Sequence, residues 1–169
     1  MEPFKEKIVN IELLLERVRL EENPLGNLIS TVLVMAAKDN GIDADFSIIN
    51  HGTFRSTWYP GTVEYQHFYA MFPFTGRIVS FQLTGAEVVE MIKRVQNGWD
   101  GFYFAHGIFQ TVSLTETVNE EGVTVLQKGF VNATLPDGSP IIPDKIYTGV
   151  TLEFLLKGGD DFIKAFTQS

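Results

Sequence analysis

Cysteine is absent from the 169 residues, which excludes disulfides and thiolate metal sites and leaves the compartment open. No apolar run approaches the ~18 residues that a membrane-spanning helix needs, so membrane insertion is not expected. Positive charge is scarce. Thirteen Lys and Arg stand against 21 Asp and Glu, a formal net charge of −8. That sign argues against a nucleic-acid backbone or an anionic membrane surface as partner, since both bind through neutralising cations. A small anionic ligand would need arginines placed locally against the overall field. Glu2-Pro3-Phe4 follows Met1 in place of a basic and then apolar stretch, so a secretory signal is not expected within these residues. The three histidines, His51, His67 and His106, lie far apart, without the Asp/His clustering of a two-metal hydrolase. Neither a Gly-x-Ser-x-Gly elbow nor a Gly-rich phosphate loop with Lys is present. No residue is therefore assigned a catalytic or a metal-binding role.

What the chain does contain is apolar surface: 44% hydrophobic residues, 14 Phe, and only 20% charged residues. This is the make-up of one packed domain. Asn23-Pro24 is a helix start, and Leu25, Leu28, Ile29, Val32, Leu33 and Ala36 recur at helical spacing until Asn40-Gly41. Val9–Leu15 is apolar and fits a strand or a helix start. Phe46–Ile49 reads as a short buried strand, and Tyr65–Phe72 as a helix stopped by Pro73. Arg77–Leu83 alternates as a strand, and Thr84-Gly-Ala-Glu87 resembles a capping box opening a helix to about Val95. Three strands are expected in the second half, over Phe102–Leu114, Val123–Ala133 and Lys145–Leu152. A closing helix is expected after Gly158-Gly159, with Asp160-Asp161 at its start and Phe162, Ile163 and Phe166 on one face. The whole reads as a single α+β domain, a mixed β-sheet with packed helices.

Four stretches look like more than scaffold. Asn50-His-Gly-Thr-Phe-Arg55 puts polar donors and a glycine directly after a buried strand. Met71-Phe-Pro-Phe-Thr-Gly76 fixes the backbone between two rings, one of which could turn outwards. Phe154 through Phe162 sets two glycines and two aspartates between apolar residues. In Arg17-Val-Arg19-Leu-Glu-Glu22, charges alternate with Val and Leu ahead of the first helix. Taken singly, each has a plainer structural explanation: a surface ion pair, core rings, or capping by Asp.

Taken in order, they resemble the C-terminal domain of the 5'-nucleotidase family, which includes UDP-sugar hydrolases and 2',3'-cyclic phosphodiesterases. The pattern is Arg19-x-x-Glu22-Asn-Pro-Leu-Gly-Asn27-Leu, Asn50-x-Gly-x-x-Arg55, Phe72-Pro-Phe-Thr-Gly76, Leu83-Thr-Gly85 and Phe154-Leu-x-x-Gly-Gly-Asp160. It runs from about Arg17 to Phe166, so residues 1–16 read as a lead-in and 17–169 as the domain. The resemblance implies a 5'-nucleotidase C-terminal domain-like fold and a nucleoside or nucleotide substrate. Phe74 and Phe154 match the rings that sandwich the base, and Asp160 the carboxylate that takes the ribose hydroxyls. Arg19 and Arg55 match arginines near ribose and phosphate, and Asn50 a polar residue near the base. It also implies an N-terminal metallophosphoesterase domain of the same parent chain. Two divalent metal ions are expected there and no cofactor here, so this stretch by itself is expected to be inactive. Members are secreted, periplasmic or at the cell surface. Three positions depart from the pattern: His51 and Asp161 stand where Gly is common, and Glu21 where Arg is frequent. These departures motivate the alternative of a non-catalytic nucleoside-binding or interaction module. A hydrolase complete in 169 residues ranks last.

Overall fold

Leu25, Ile29 and Leu33 of the expected apolar face are buried along one side of a helix over Pro24–Asp39, joined by Ala37, whereas Leu28 and Val32 of that face are exposed. The computed structural model describes residues 3–18, 22, 24–96 and 102–162. Its elements are β1 (Lys7–Ile11), α1 (Pro24–Asp39), β2 (Phe46–Asn50), β3 (Gly61–Glu64), α2 (Tyr65–Met71) and β4 (Ile78–Thr84), followed by α3 (Gly85–Gln96), β5 (Phe102–His106), β6 (Phe109–Val118), β7 (Thr124–Thr134), β8 (Ile146–Leu152) and α4 (Glu153–Leu156). Four strands lie side by side in the order β4-β8-β2-β5. β8 is antiparallel to β4 and parallel to β2, and β2 is antiparallel to β5. The β1–β3 and β6–β7 pairs form separate antiparallel ribbons. The expected α+β class with a mixed sheet is what forms.

Strand periodicity sorts the core into two clusters, one on each face of the sheet. Phe46 and Ile48 of β2 join Tyr147 of β8 and Val88, Met91, Ile92 and Val95 of α3. Ile49 of β2 joins Val150 and Leu152 of β8 and the buried side of α1. On that second face the Ser47 hydroxyl donates to the Ser30 carbonyl of α1 at 3.0 Å, so this buried hydroxyl is satisfied. Because both faces are covered, every residue of β2 is buried. The expected capping box also forms. Glu87 Oε2 accepts from the Thr84 backbone N–H at 2.7 Å, and the Glu87 N–H donates to Thr84 Oγ1 at 3.3 Å.

One local expectation needs correction, and one strand was not expected. Phe102–Leu114 is two strands, because Gly107 turns the chain with φ +85° and packs on Asp45; a Cβ there would lie 1.9 Å from the Asp45 carbonyl oxygen. Gly61–Glu64 is a strand, paired with β1 and invisible to a reading of apolar runs because only Val63 is buried. Beyond Phe162 the expected closing helix falls outside the described residues. A short helix, α4, precedes the glycines, and Gly159–Asp161 is a single 3-10 turn; Ile163 and Phe166 lie outside the described residues.

Gly149 is the tightest point of the first cluster: a Cβ would sit 2.5 Å from Cζ of Phe81 and 2.7 Å from Cζ of Phe46. Phe46 is 1% exposed and has nowhere to move. Gly149→Ala is expected to lower stability by about 1–3 kcal/mol through overpacking. Urea unfolding would show this as a lower midpoint at unchanged slope.

Candidate functional site

The sheet topology decides which residues can meet. Ile78, the first residue of β4, pairs with Leu152, the last of β8, and β8 runs parallel to β2. The start of β4, the end of β8 and the end of β2 therefore lie at one end of the sheet. Glu153 extends this alignment by donating its N–H to the Arg77 carbonyl at 2.8 Å. Asn50 closes β2 there, Arg55 follows it, Phe74 lies just before β4, and Phe154 and Asp160 lie just after β8. Five residues spread over more than a hundred positions thus gather where two parallel strands present their carboxyl ends, the usual place for a ligand crevice.

Asn50 and Asp160 are joined directly: Asn50 Nδ2 donates to Asp160 Oδ2 at 2.6 Å. The Asn50 side chain is buried, and its Oδ1 accepts the hydroxyl of Thr53. Asp160 is exposed and sits at φ 51°, ψ 31°, the left-handed region that Asp tolerates better than most side chains. Gly158 before it takes φ +94°. At Gly159 the constraint is room: a Cβ would fall 2.3 Å from Cε1 of Phe154, so that ring lies on the bare backbone. Phe154 keeps 54% of its surface exposed, and Phe74 43%.

Phe74 is braced from the core outwards. Trp58, Phe68, Phe72 and Phe74 follow one another with ring centroids 6.2, 5.9 and 6.3 Å apart, the last pair edge to face. The Arg55 guanidinium lies over the Phe74 ring, 5.2 Å from its centroid, within cation–π range. Arg55 is itself fixed at the backbone, its N–H donating to the Met71 carbonyl at 2.9 Å.

Arg19 lies outside the described residues, as do Glu21 and the side chain of Asp161. Arg17, two positions before Arg19, reaches the same turn. Its backbone N–H donates to Thr57 Oγ1 at 3.2 Å, and its Nη2 lies 2.9 Å from Nδ1 of His51. A guanidinium cannot accept, so Nδ1 is the acceptor and the neutral ring carries its proton on Nε2. His51, the bulky departure from the resemblance, is thus turned inward and is 3% exposed. The other histidines are used elsewhere. Nδ1 of His67 accepts from the Glu64 N–H at the start of α2, and Nδ1 of His106 lies 3.4 Å from Thr31 Oγ1. Among the described residues no three His, Cys, Asp or Glu gather to hold a metal ion.

Sequence reasoning missed Thr53 and the Arg17–His51 pair. The Thr53 hydroxyl acts three residues from Asn50 along a 3-10 turn, which an extended loop would not allow. The Arg17–His51 contact spans 34 positions and leaves no local pattern.

The chain matches the family described as 5'-nucleotidase, C-terminal domain, over residues 6–168, and it belongs to that family. It is 28% identical over 148 residues to Protein UshA of Escherichia coli, covering 87% of this chain and 24% of that protein. It is 29% identical over 160 residues to the trifunctional nucleotide phosphoesterase protein YfkN of Bacillus subtilis, covering 91% of this chain and 10% of that one. The chain thus spans a quarter or less of these relatives. Among solved structures, a 5'-nucleotidase precursor from Thermus thermophilus superposes with a TM-score of 0.69 at 19% identity, over 98% of this chain and 32% of that one.

Asp160→Ala is expected to cost about 1–3 kcal/mol, from a strained Cβ in the left-handed region and an unpartnered Asn50 amide. Asp160→Asn tolerates the same backbone and still accepts from Asn50, so it should remain within about 1 kcal/mol of wild type. Chemical denaturation of both variants checks this; an Ala variant as stable as the parent would show that the bond carries no weight.

Proposed function

We propose that this domain recognises the nucleoside part of a nucleotide and presents its phosphate to a metallophosphoesterase domain of the same parent chain. The observation that carries the reading is the Asn50–Asp160 hydrogen bond, which fixes a carboxylate at the sheet end where Phe74 and Phe154 keep exposed rings. A nucleobase has two π faces, and stacking on an aromatic ring contributes roughly 1–3 kcal/mol. Phe154, packed against Gly159, and Phe74, backed by Phe72 and Arg55, offer such faces. Asp160, with one oxygen held by Asn50, accepts from the vicinal ribose hydroxyls through charge-assisted bonds. Arg55 and Arg19 supply planar guanidinium forks suited to the phosphate. In this assignment Asn50 acts on the ligand through Asp160.

Hydrolysis belongs to the N-terminal domain, with its two divalent metal ions. In support, the relatives extend well beyond this region, and one of them is named a nucleotide phosphoesterase.

Ligand-observed NMR with adenosine, AMP and UDP-glucose tests the recognition half. Saturation transfer to base protons is expected, with a dissociation constant on the order of 1 mM, and should vanish in Phe154→Ala and Phe74→Ala. Transfer that survives both substitutions would remove the base sandwich. For the full parent chain, nucleotide hydrolysis should need divalent metal, stop on chelation, and fall at least roughly tenfold in kcat/KM in Asp160→Ala. Hydrolysis indifferent to chelator would overturn the catalytic half.

A further inference from the structure

We propose that Thr53 is a positioning residue for ligand recognition, acting through Asn50 on the Asp160 carboxylate. The proposal takes its ligand from the nucleoside reading above, and its geometry from the structure alone. Thr53 is 3% exposed, and its hydroxyl donates to Oδ1 of Asn50, itself 4% exposed. The other end of the same amide, Nδ2, donates to Oδ2 of Asp160 at 2.6 Å. An amide can sit in either of two orientations. Turned over, its oxygen would face the carboxylate, two acceptors in contact, and its NH2 would face the Thr53 hydroxyl. The carboxylate, which can only accept, selects the orientation, and the Thr53 hydroxyl, free to donate or accept, then donates to the Oδ1 presented to it and holds the amide at its inner end.

The consequence falls on Asp160. Among the described residues, the hydrogen bond from Asn50 is the one contact that aims its side chain, which otherwise stands in solvent on a left-handed residue. Gly52 passes directly beneath the pair: a Cβ there would lie 3.3 Å from Asn50 Nδ2 and 4.0 Å from Asp160 Oδ2. A buried hydroxyl thus holds a buried amide, and the amide holds an exposed carboxylate. Without the hydroxyl, Oδ1 of Asn50 is buried without its partner, and the amide is no longer fixed at its inner end. A hydroxyl that served only to close the 3-10 turn would stabilise the fold without distinguishing between ligands.

The test compares Thr53→Val, which keeps the shape and removes the donor, with Thr53→Ser, which restores it. Dissociation constants are measured by NMR for adenosine and for 2',3'-dideoxyadenosine, which has the base but no diol to offer Asp160. Thr53→Val is expected to weaken adenosine roughly three- to tenfold and leave the dideoxy compound unchanged, with Thr53→Ser close to wild type. Equal weakening of both ligands, or of neither, would overturn the relay. If the wild-type domain binds neither ligand, the nucleoside reading fails, and the Asn50 side-chain amide resonances decide the relay instead. They should move in Thr53→Val and in Asp160→Ala and stay in place in Thr53→Ser. Resonances that ignore Thr53→Val would overturn it.

Discussion

β2 and β8 run parallel, and the arrangement of the domain depends on that pairing. Their register, Phe46 with Gly149 and Ser47 with Val150, brings both carboxyl ends to the same end of the sheet. It also requires Gly149, since the Phe46 and Phe81 rings fill the space where a side chain would stand. A parallel pair cannot be closed by a hairpin, so the chain between the two strands must travel away and return. Here that excursion supplies α2, α3 and five strands, among them β4 and β5, the antiparallel partners of β8 and β2. It also carries Phe74 to the start of β4, beside the end of β8.

Rigidity at the site is borrowed from the core by two routes. One is aromatic: Trp58, 6% exposed, leads through Phe68 and Phe72 to Phe74, so an exposed ring rests on a series of packed ones. The other is polar and starts from the buried Thr53 and Asn50. Both end at groups that face solvent, Phe74 and Asp160. The Arg17–His51 contact adds the segment before α1 to the same turn, so three stretches of chain support the loop after β2.

Legibility in the sequence followed the range of the interaction. α1, α3 and its capping box were readable because their signals lie within a few residues: apolar spacing, Asn23-Pro24, and Thr84 with Glu87. β2 was readable because burial on both faces makes it continuously apolar. β3 was not, because its pairing with β1 spans over fifty positions and only Val63 turns inward. The glycines at 158 and 159 follow a short helix that the sequence did not suggest and let Phe154 lie on the backbone; the helix expected after them falls outside the described residues. The site residues were named from the order of motifs, whereas the bond that joins Asn50 to Asp160 crosses 110 positions and is visible only in three dimensions. Arg19 remains known from its motif alone.

The position of β8 also bears on how the chain reaches its native form. Among the described residues it is the last of eight strands in sequence, yet it lies inside the sheet between β4 and β2. The hydroxyl of Thr151 donates to the Ile48 carbonyl across 103 residues, and the Thr148 N–H donates to Asp45 across the same interval. During vectorial synthesis, β2 and β4 therefore emerge well before the strand that unites them, each with an unpaired edge facing the gap. Closure over so long a loop is slow compared with helix formation. Until residues 146–152 leave the ribosome, the domain is two halves awaiting a keystone, and that interval is when its bare strand edges are most open to the wrong partner.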